Sequence, residues 1–189
     1  VRIPSALCGL YGFRPSVGRY SSKGIIPVSS TRDTIGPIAR SIEDILLLDS
    51  IMAVETVSSL EPVELKSIKI GVPQTRFWED LETGVKDLSS DFLKQLEAAG
   101  IEIIQRDFPD IWELNDNVGF PVALFEVMRE LPAYLENSGY GISLEELISG
   151  IGSPDVLGII SSQQGEEAMP EAAYLDAIEQ HRPKMKEMY

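Results

Sequence analysis

Between residues 67 and 104 the apolar positions change period twice. Ile68, Ile70 and Val72 alternate with their neighbours and stop at Pro73, as a short strand does. Val85, Leu88, Phe92, Leu96 and Ala99 then recur at helical spacing, and Gly100 stands where a helix ends in a left-handed residue. Ile101 and Ile103 alternate again. Strand, helix and strand over so short a span predict a βαβ crossover at about 67–104, and so a parallel strand pair. The first strand meets its helix through Gln74-Thr75-Arg76-Phe77-Trp78 rather than a glycine-rich loop, which disfavours nucleotide binding.

Helical patterns dominate elsewhere. Ser41-Ile42-Glu43-Asp44 reads as an N-cap with an acidic residue three positions on, and Ile42, Ile45, Leu46, Ile51 and Met52 continue it as a buried-face helix over 41–53. Residues 54–66 are acidic and Ser- and Pro-containing, a connector by composition. Residues 111–136 place Leu124, Phe125, Met128, Leu131 and Leu135 on one helix face, with Pro121 and Pro132 as entry or kink points. Ser143-Leu144-Glu145-Glu146 is a capping box, and Ser153-Pro154 pairs an N-cap with proline at the first helical position. Gln163 to Ala168 reads as an exposed polar loop, and a last helix from Pro170 carries Ala173, Tyr174 and Ile178 on one face.

The first forty residues have no such period. Pro4 fixes its own φ and pushes Ile3 towards an extended conformation, so a shaped loop is expected at the start. Arg32 and Asp33 stand between a polar tripeptide and a Gly-Pro turn; they suit either the rim of a site or an Asx-type turn in which Asp33 accepts backbone N–H bonds. Cys8 lies among small and apolar residues, where a buried, inert thiol is expected. His181, beside Arg182 and Pro183, is expected on a polar surface.

Composition narrows the classes. The 189 residues carry 16 Lys+Arg against 30 Asp+Glu, a net charge of −14 that repels phosphate backbones and anionic lipids. Nucleic acid and membrane are therefore poor partners, and the acidity reads first as a solubilising surface. A single cysteine cannot form an internal disulfide, which fits a reducing, cytoplasmic setting. No His/Cys cluster or carboxylate loop offers a metal site, and no cofactor is expected.

The run R-I-P-S-A-L-C-G-L-Y-G-F-R-P-S-x-G-R, followed by G-I-I-P-V-S-S-T-R-D-T-I-G-P-I-A-R-S-I-E-D, resembles the amidase signature family of serine hydrolases, without a gap over residues 1–53. The T-R-D-T-x-G-P-x-A-R-S form, with Ser153-Pro154-Asp155-Val156 later, is most similar to mandelamide and indoleacetamide hydrolases. The resemblance implies an α/β fold with a twisted mixed sheet flanked by helices. The chain then divides into a signature-core part (1–53), the connector (54–66), the βαβ unit (67–110) and a helical substrate-funnel part (111–189).

It also implies a chemistry. In the family a serine immediately before the position of Val1 is the nucleophile, with a cis-peptide serine and a lysine further upstream, so the segment is expected to be internal to a longer enzyme. A hydroxyl at its ordinary pKa is a poor nucleophile and needs such a base relay. Within these residues the resemblance leaves support roles. Arg2 would brace the catalytic loop, Pro4 and its neighbours would wedge the nucleophile strand, Asp33 would sit near the site, and Phe120, Leu124 and Ser153 would line the substrate pocket. The substrate implied is a small aryl amide, and a homodimer is compatible with the family. Two other readings stand beside it: the amidotransferase subunit that amidates mischarged tRNA, which the Thr31-Arg32-Asp33-Thr34 run and the acidic charge disfavour, and a catalytically silent α/β binding module.

Overall fold

The structure is a computed structural model and describes residues 1–54 and 60–188. In chain order its elements are α1 (Arg2–Cys8), β1 (Tyr11–Gly12), β2 (Ile38–Ala39), α2 (Ile42–Ala53), β3 (Lys69–Val72), α3 (Thr83–Ala98), β4 (Glu102–Gln105), α4 (Ile111–Ser138), α5 (Leu144–Ser149), α6 (Pro154–Ser162), α7 (Glu171–Asp176) and α8 (Arg182–Glu187), with a π-turn at Ala177–His181 before α8. This is the α/β class expected. The chain divides into two compact units, one made of Val1–Ser58 and Asp116–Pro183, the other of Ser59–Asn115 and Lys184–Tyr189.

The second unit contains the crossover. β3 and β4 run parallel, with Ile70 opposite Ile103 and Val72 opposite Gln105, and α3 lies between them in the chain. Gly100, at φ 95, follows the helix and takes the left-handed turn the sequence predicts there. Thr75 N–H and its hydroxyl both donate to the Asp107 carboxylate, so the strand-to-helix loop is tied to the segment that follows β4. The connector expected at 54–66 lies partly outside the described residues; its end forms a single 3-10 turn at Leu65–Ser67.

In the first unit, β1 and β2 pair antiparallel (Tyr11 with Ala39, Gly12 with Ile38), and the Phe13 N–H extends the ladder to the Pro37 carbonyl. Two apolar clusters follow α4. Val118 and Val122 pack with Ala177, Tyr174 and Ile178; Val127, Leu131 and Leu135 pack with neighbours including Met128, Leu144, Leu147 and Ile160. The caps at Ser41, Ser143 and Ser153 form as expected, Ser143 with the reciprocal Glu146 bond of a full capping box.

Four local expectations are corrected. The opening is not a loop: Arg2–Cys8 is helical, and Pro4 sits in the first turn, where its missing N–H costs nothing because the first intrahelical bond is Ser5 N–H to Val1 O. Cys8 is exposed on that helix. Gln163 is buried and stitches its loop, its side-chain oxygen accepting from Met169 N–H. His181 is half-buried rather than on a free surface, with Nε2 3.0 Å from Asp176 Oδ2.

A pH-sensitive anchor ties the 16–27 loop to α2. Arg19 donates to both oxygens of Asp49, at 2.7 and 2.5 Å, and the Tyr20 hydroxyl donates to the same carboxylate. The Arg19 hydrogen bond, and then that of Tyr20, hold the Asp49 carboxyl down at about 2 from an ordinary 3.8. Burial, then the bond to Asp49, pushes Tyr20 up to about 12. The two shifts act at opposite ends of the pH scale. Asp49 stabilises the fold above 3.8, and that contribution is lost as pH falls through about 2. Tyr20 stabilises it below 10.0, and that contribution is lost as pH rises through about 12. Asp49→Asn should cost about 1–2 kcal/mol at pH 7 after allowance for solvent screening. Urea melts of the variant should show less destabilisation on acidification below pH 4 than wild type; parallel pH curves would contradict the assignment.

Candidate active site

The irregular loop over 28–36 is built around one carboxylate. Asp33 Oδ2 accepts the N–H groups of Val28 (2.7 Å) and Ser29 (2.8 Å), while Ser29 O accepts those of Arg32 and Asp33 in return. Asp33 thus does the work of an Asx-type turn, and it closes the loop from inside.

The outer side of the loop is gripped by α4. Glu126 and Glu130, one helical turn apart, point at three consecutive residues. Ser29 Oγ donates to Glu126 Oε2 at 2.5 Å, and Thr31 Oγ1 donates to Glu126 Oε1 at 2.9 Å. Ser30 donates both its N–H and its hydroxyl to Glu130. From α7 the Tyr174 hydroxyl adds a bond to Glu126 Oε1 at 3.1 Å. Burial, then the bond to Glu126, push the Tyr174 phenol up, so it remains a donor throughout the neutral range. Ser29 is 1% exposed and Glu126 4%. A carboxylate so far from water is tolerated because hydroxyl and amide donors surround it.

Three arginines complete the frame through main-chain oxygens. Arg14 donates to Arg32 O, Arg32 to Gly119 O, and Arg182 to Thr31 O, at 3.0, 3.0 and 3.2 Å.

The far end of the loop meets the start of the chain. A Cβ on Gly36 would lie 2.0 Å from Phe13 O and 3.1 Å from Val1 Cγ2, so only glycine lets this strand pass. Ser5 fixes the other side of Val1, its N–H and hydroxyl both bonding to Val1 O at 3.1 and 2.8 Å. A cavity of about 200 Å³ opens beside the loop, walled by Val17, Tyr20, Ile25, Pro27 and Ile35, with Asp33 and Ser30 among its polar groups.

The residues singled out from sequence are scattered around this arrangement. Asp33 is central to it. Pro4 is exposed on α1, and the Arg2 side chain, exposed on the same helix, makes no hydrogen bond or ion pair with the described residues. Phe120 and Leu124 lie one turn apart on α4, and Ser153 caps α6; none of the three lines the cavity. Glu126, Glu130, Ser29, Thr31 and Tyr174 were not expected to form a site. One signal existed: Glu126 interrupts the apolar run Leu124-Phe125-Glu126-Val127-Met128, where a charge needs a partner.

The whole chain, residues 1–189, matches the family described as Amidase. The chain belongs to the amidase family. It is 38% identical over 189 residues to the indoleacetamide hydrolase of Allorhizobium ampelinum, covering all of this chain and 40% of that protein. It is 41% identical over 194 residues to the mandelamide hydrolase of Pseudomonas putida, covering 98% of this chain and 38% of that one. The chain therefore spans about 40% of the length of these curated amidase relatives. A crystal structure of an amidase superposes over the full chain with a TM-score of 0.78 at 27% identity, covering 39% of that structure. The peptide amidase of Stenotrophomonas maltophilia shares the fold, with a TM-score of 0.67 at 23% identity over 89% of this chain and 39% of its own.

Proposed function

We propose that the full-length protein is a serine amidase that hydrolyses small aryl carboxamides to the carboxylate and ammonia. The observation that carries this is similarity along the entire chain to hydrolases of indoleacetamide and mandelamide. The nucleophilic serine immediately precedes Val1 in this reading, with a bridging serine and a neutral lysine upstream. Its Oγ attacks the carbonyl carbon while the bridging serine takes the hydroxyl proton and passes its own to lysine. The tetrahedral oxyanion is held by main-chain N–H groups. The C–N bond then breaks, the nitrogen takes a proton back through the relay and leaves as ammonia, and water cleaves the ester.

The residues present serve this chemistry by placement. Ser5 holds the Val1 carbonyl, and Gly12 and Gly36 let the chain after the nucleophile lie close against β1 and the loop. The cavity of about 200 Å³ takes the aryl group; cavities of about 150 Å³ accept a benzene ring. An unpaired and exposed Cys8 suits a reducing, cytoplasmic compartment. No helix among the described residues is long and apolar enough to cross a membrane.

The direct test is ammonia release from indoleacetamide and mandelamide by the full-length protein, with intact mass after a fluorophosphonate serine probe. Turnover together with one added phosphonate supports the reading, and a folded protein with neither defeats it. Ile25→Trp should fill the cavity and raise KM for aryl amides by about tenfold, the worth of roughly 1.4 kcal/mol of binding, while leaving acetamide hydrolysis near its original rate. Equal effects on both substrates would move the aryl group elsewhere.

A further inference from the structure

We infer that Glu126 is a positioning residue for the catalytic centre, acting through the 28–36 loop; this rests on the amidase reading above. The argument starts from what the carboxylate touches. All its bonds are accepted: from Ser29 Oγ, from Thr31 Oγ1 to both oxygens, and from Tyr174 OH, with Thr31 N–H at a longer 3.4 Å. Three hydroxyls converge on this one buried side chain, and its two oxygens accept all of them. A group placed only for packing would not need a charge that costs several kcal/mol to desolvate.

Its reach towards the reacting end is continuous. Glu126 sets Ser29 and Thr31; Ser29 N–H and carbonyl both bond with Asp33; and the loop runs on through Thr34 and Ile35 to Gly36, against which Val1 rests. The links are hydrogen bonds, three residues of chain and the packing of the Val1 side chain on Gly36, so a shift at Ser29 has a short path to Val1. Ile35, Thr34, Asp33 and Ser30 also wall the cavity, which puts the aryl group and the nucleophile on the same support. Glu130 grips Ser30 in parallel but is only half-buried, and so is the weaker of the two holds.

Glu126→Gln in the full-length protein tests this, with rates expressed per site titrated by the fluorophosphonate. Gln fills the same space but brings an NH2 group to face hydroxyl donors. The expected result is a kcat about 10- to 100-fold lower per titrated site, slower phosphonylation, and a smaller change in KM. Leu135→Ala, a buried apolar change on the same helix, should lower the melting temperature and the titratable fraction but not kcat per titrated site. If Glu126→Gln does not fold, Tyr174→Phe carries the test, with an expected loss of about fivefold per titrated site. A Glu126→Gln protein that matches wild type per titrated site overturns the inference, as does an unchanged Tyr174→Phe where Glu126→Gln does not fold. A wild type that neither turns over amides nor takes the phosphonate defeats the amidase reading, and this one with it.

Discussion

Gly36→Ala should destabilise the full-length protein by about 3 kcal/mol and abolish most amide hydrolysis. The added methyl would lie 2.0 Å from the Phe13 carbonyl oxygen, and that oxygen belongs to backbone rather than to a side chain that can swing away. Relief requires β1 and β2 to part, which breaks the Phe13 N–H bond to Pro37 O and pushes on Val1. Stability and activity should therefore fall together. Gly158 supplies the contrast: it lies inside α6 with open space where a Cβ would go. Gly158→Ala should stabilise by about 0.5–1 kcal/mol through the unfolded chain. Urea denaturation of both variants gives the comparison, and a Gly36→Ala protein as stable as wild type would show that the strands have slack.

Asp33→Ala should cost about 2–3 kcal/mol, because two backbone N–H groups, one on a residue that is 1% exposed, lose the carboxylate oxygen that accepts them both. Asp33→Asn should cost much less, since its amide oxygen can still take both bonds. The ordering of the two variants is the informative quantity. Equal losses would mean that the charge rather than the acceptor matters, and would favour a role for Asp33 at the rim of the site over one inside the loop. Activity of Asp33→Ala should fall further than its folded fraction does, since the same loop leads to Gly36.

What could be read from the sequence was what depends on near neighbours. The βαβ crossover declared itself because β3, α3 and β4 each carry their period within a few residues and Gly100 marks the helix end. The Ser143 capping box closes over three residues and was equally plain. Pro4 misled because proline is read as a breaker, while in a first turn it has no bond to break. The exposed Cys8 was missed for a related reason: small neighbours suggest burial only until one knows which way a helix faces. The Glu126 site was out of reach for a different cause. Its partners lie 95 and 97 residues earlier and 48 later, and no local pattern connects a serine-threonine loop with a glutamate so distant. The family resemblance directed attention to Asp33, but it did not indicate which carboxylate holds the loop from outside.

The discontinuity of the first unit has a consequence for biosynthesis. Its two stretches, Val1–Ser58 and Asp116–Pro183, are separated in the chain by the whole crossover unit. Ser29, Ser30 and Thr31 leave the ribosome long before Glu126 and Glu130, and Arg182, which bonds to Thr31 O, follows 151 residues after it. At about 5–20 residues per second, that last gap alone is roughly 8–30 s of synthesis. The crossover unit has the local contacts to form in the meantime, while the 28–36 loop waits without the carboxylates that shape it. The 28–36 loop therefore gains its side-chain partners only after the crossover unit has been synthesised.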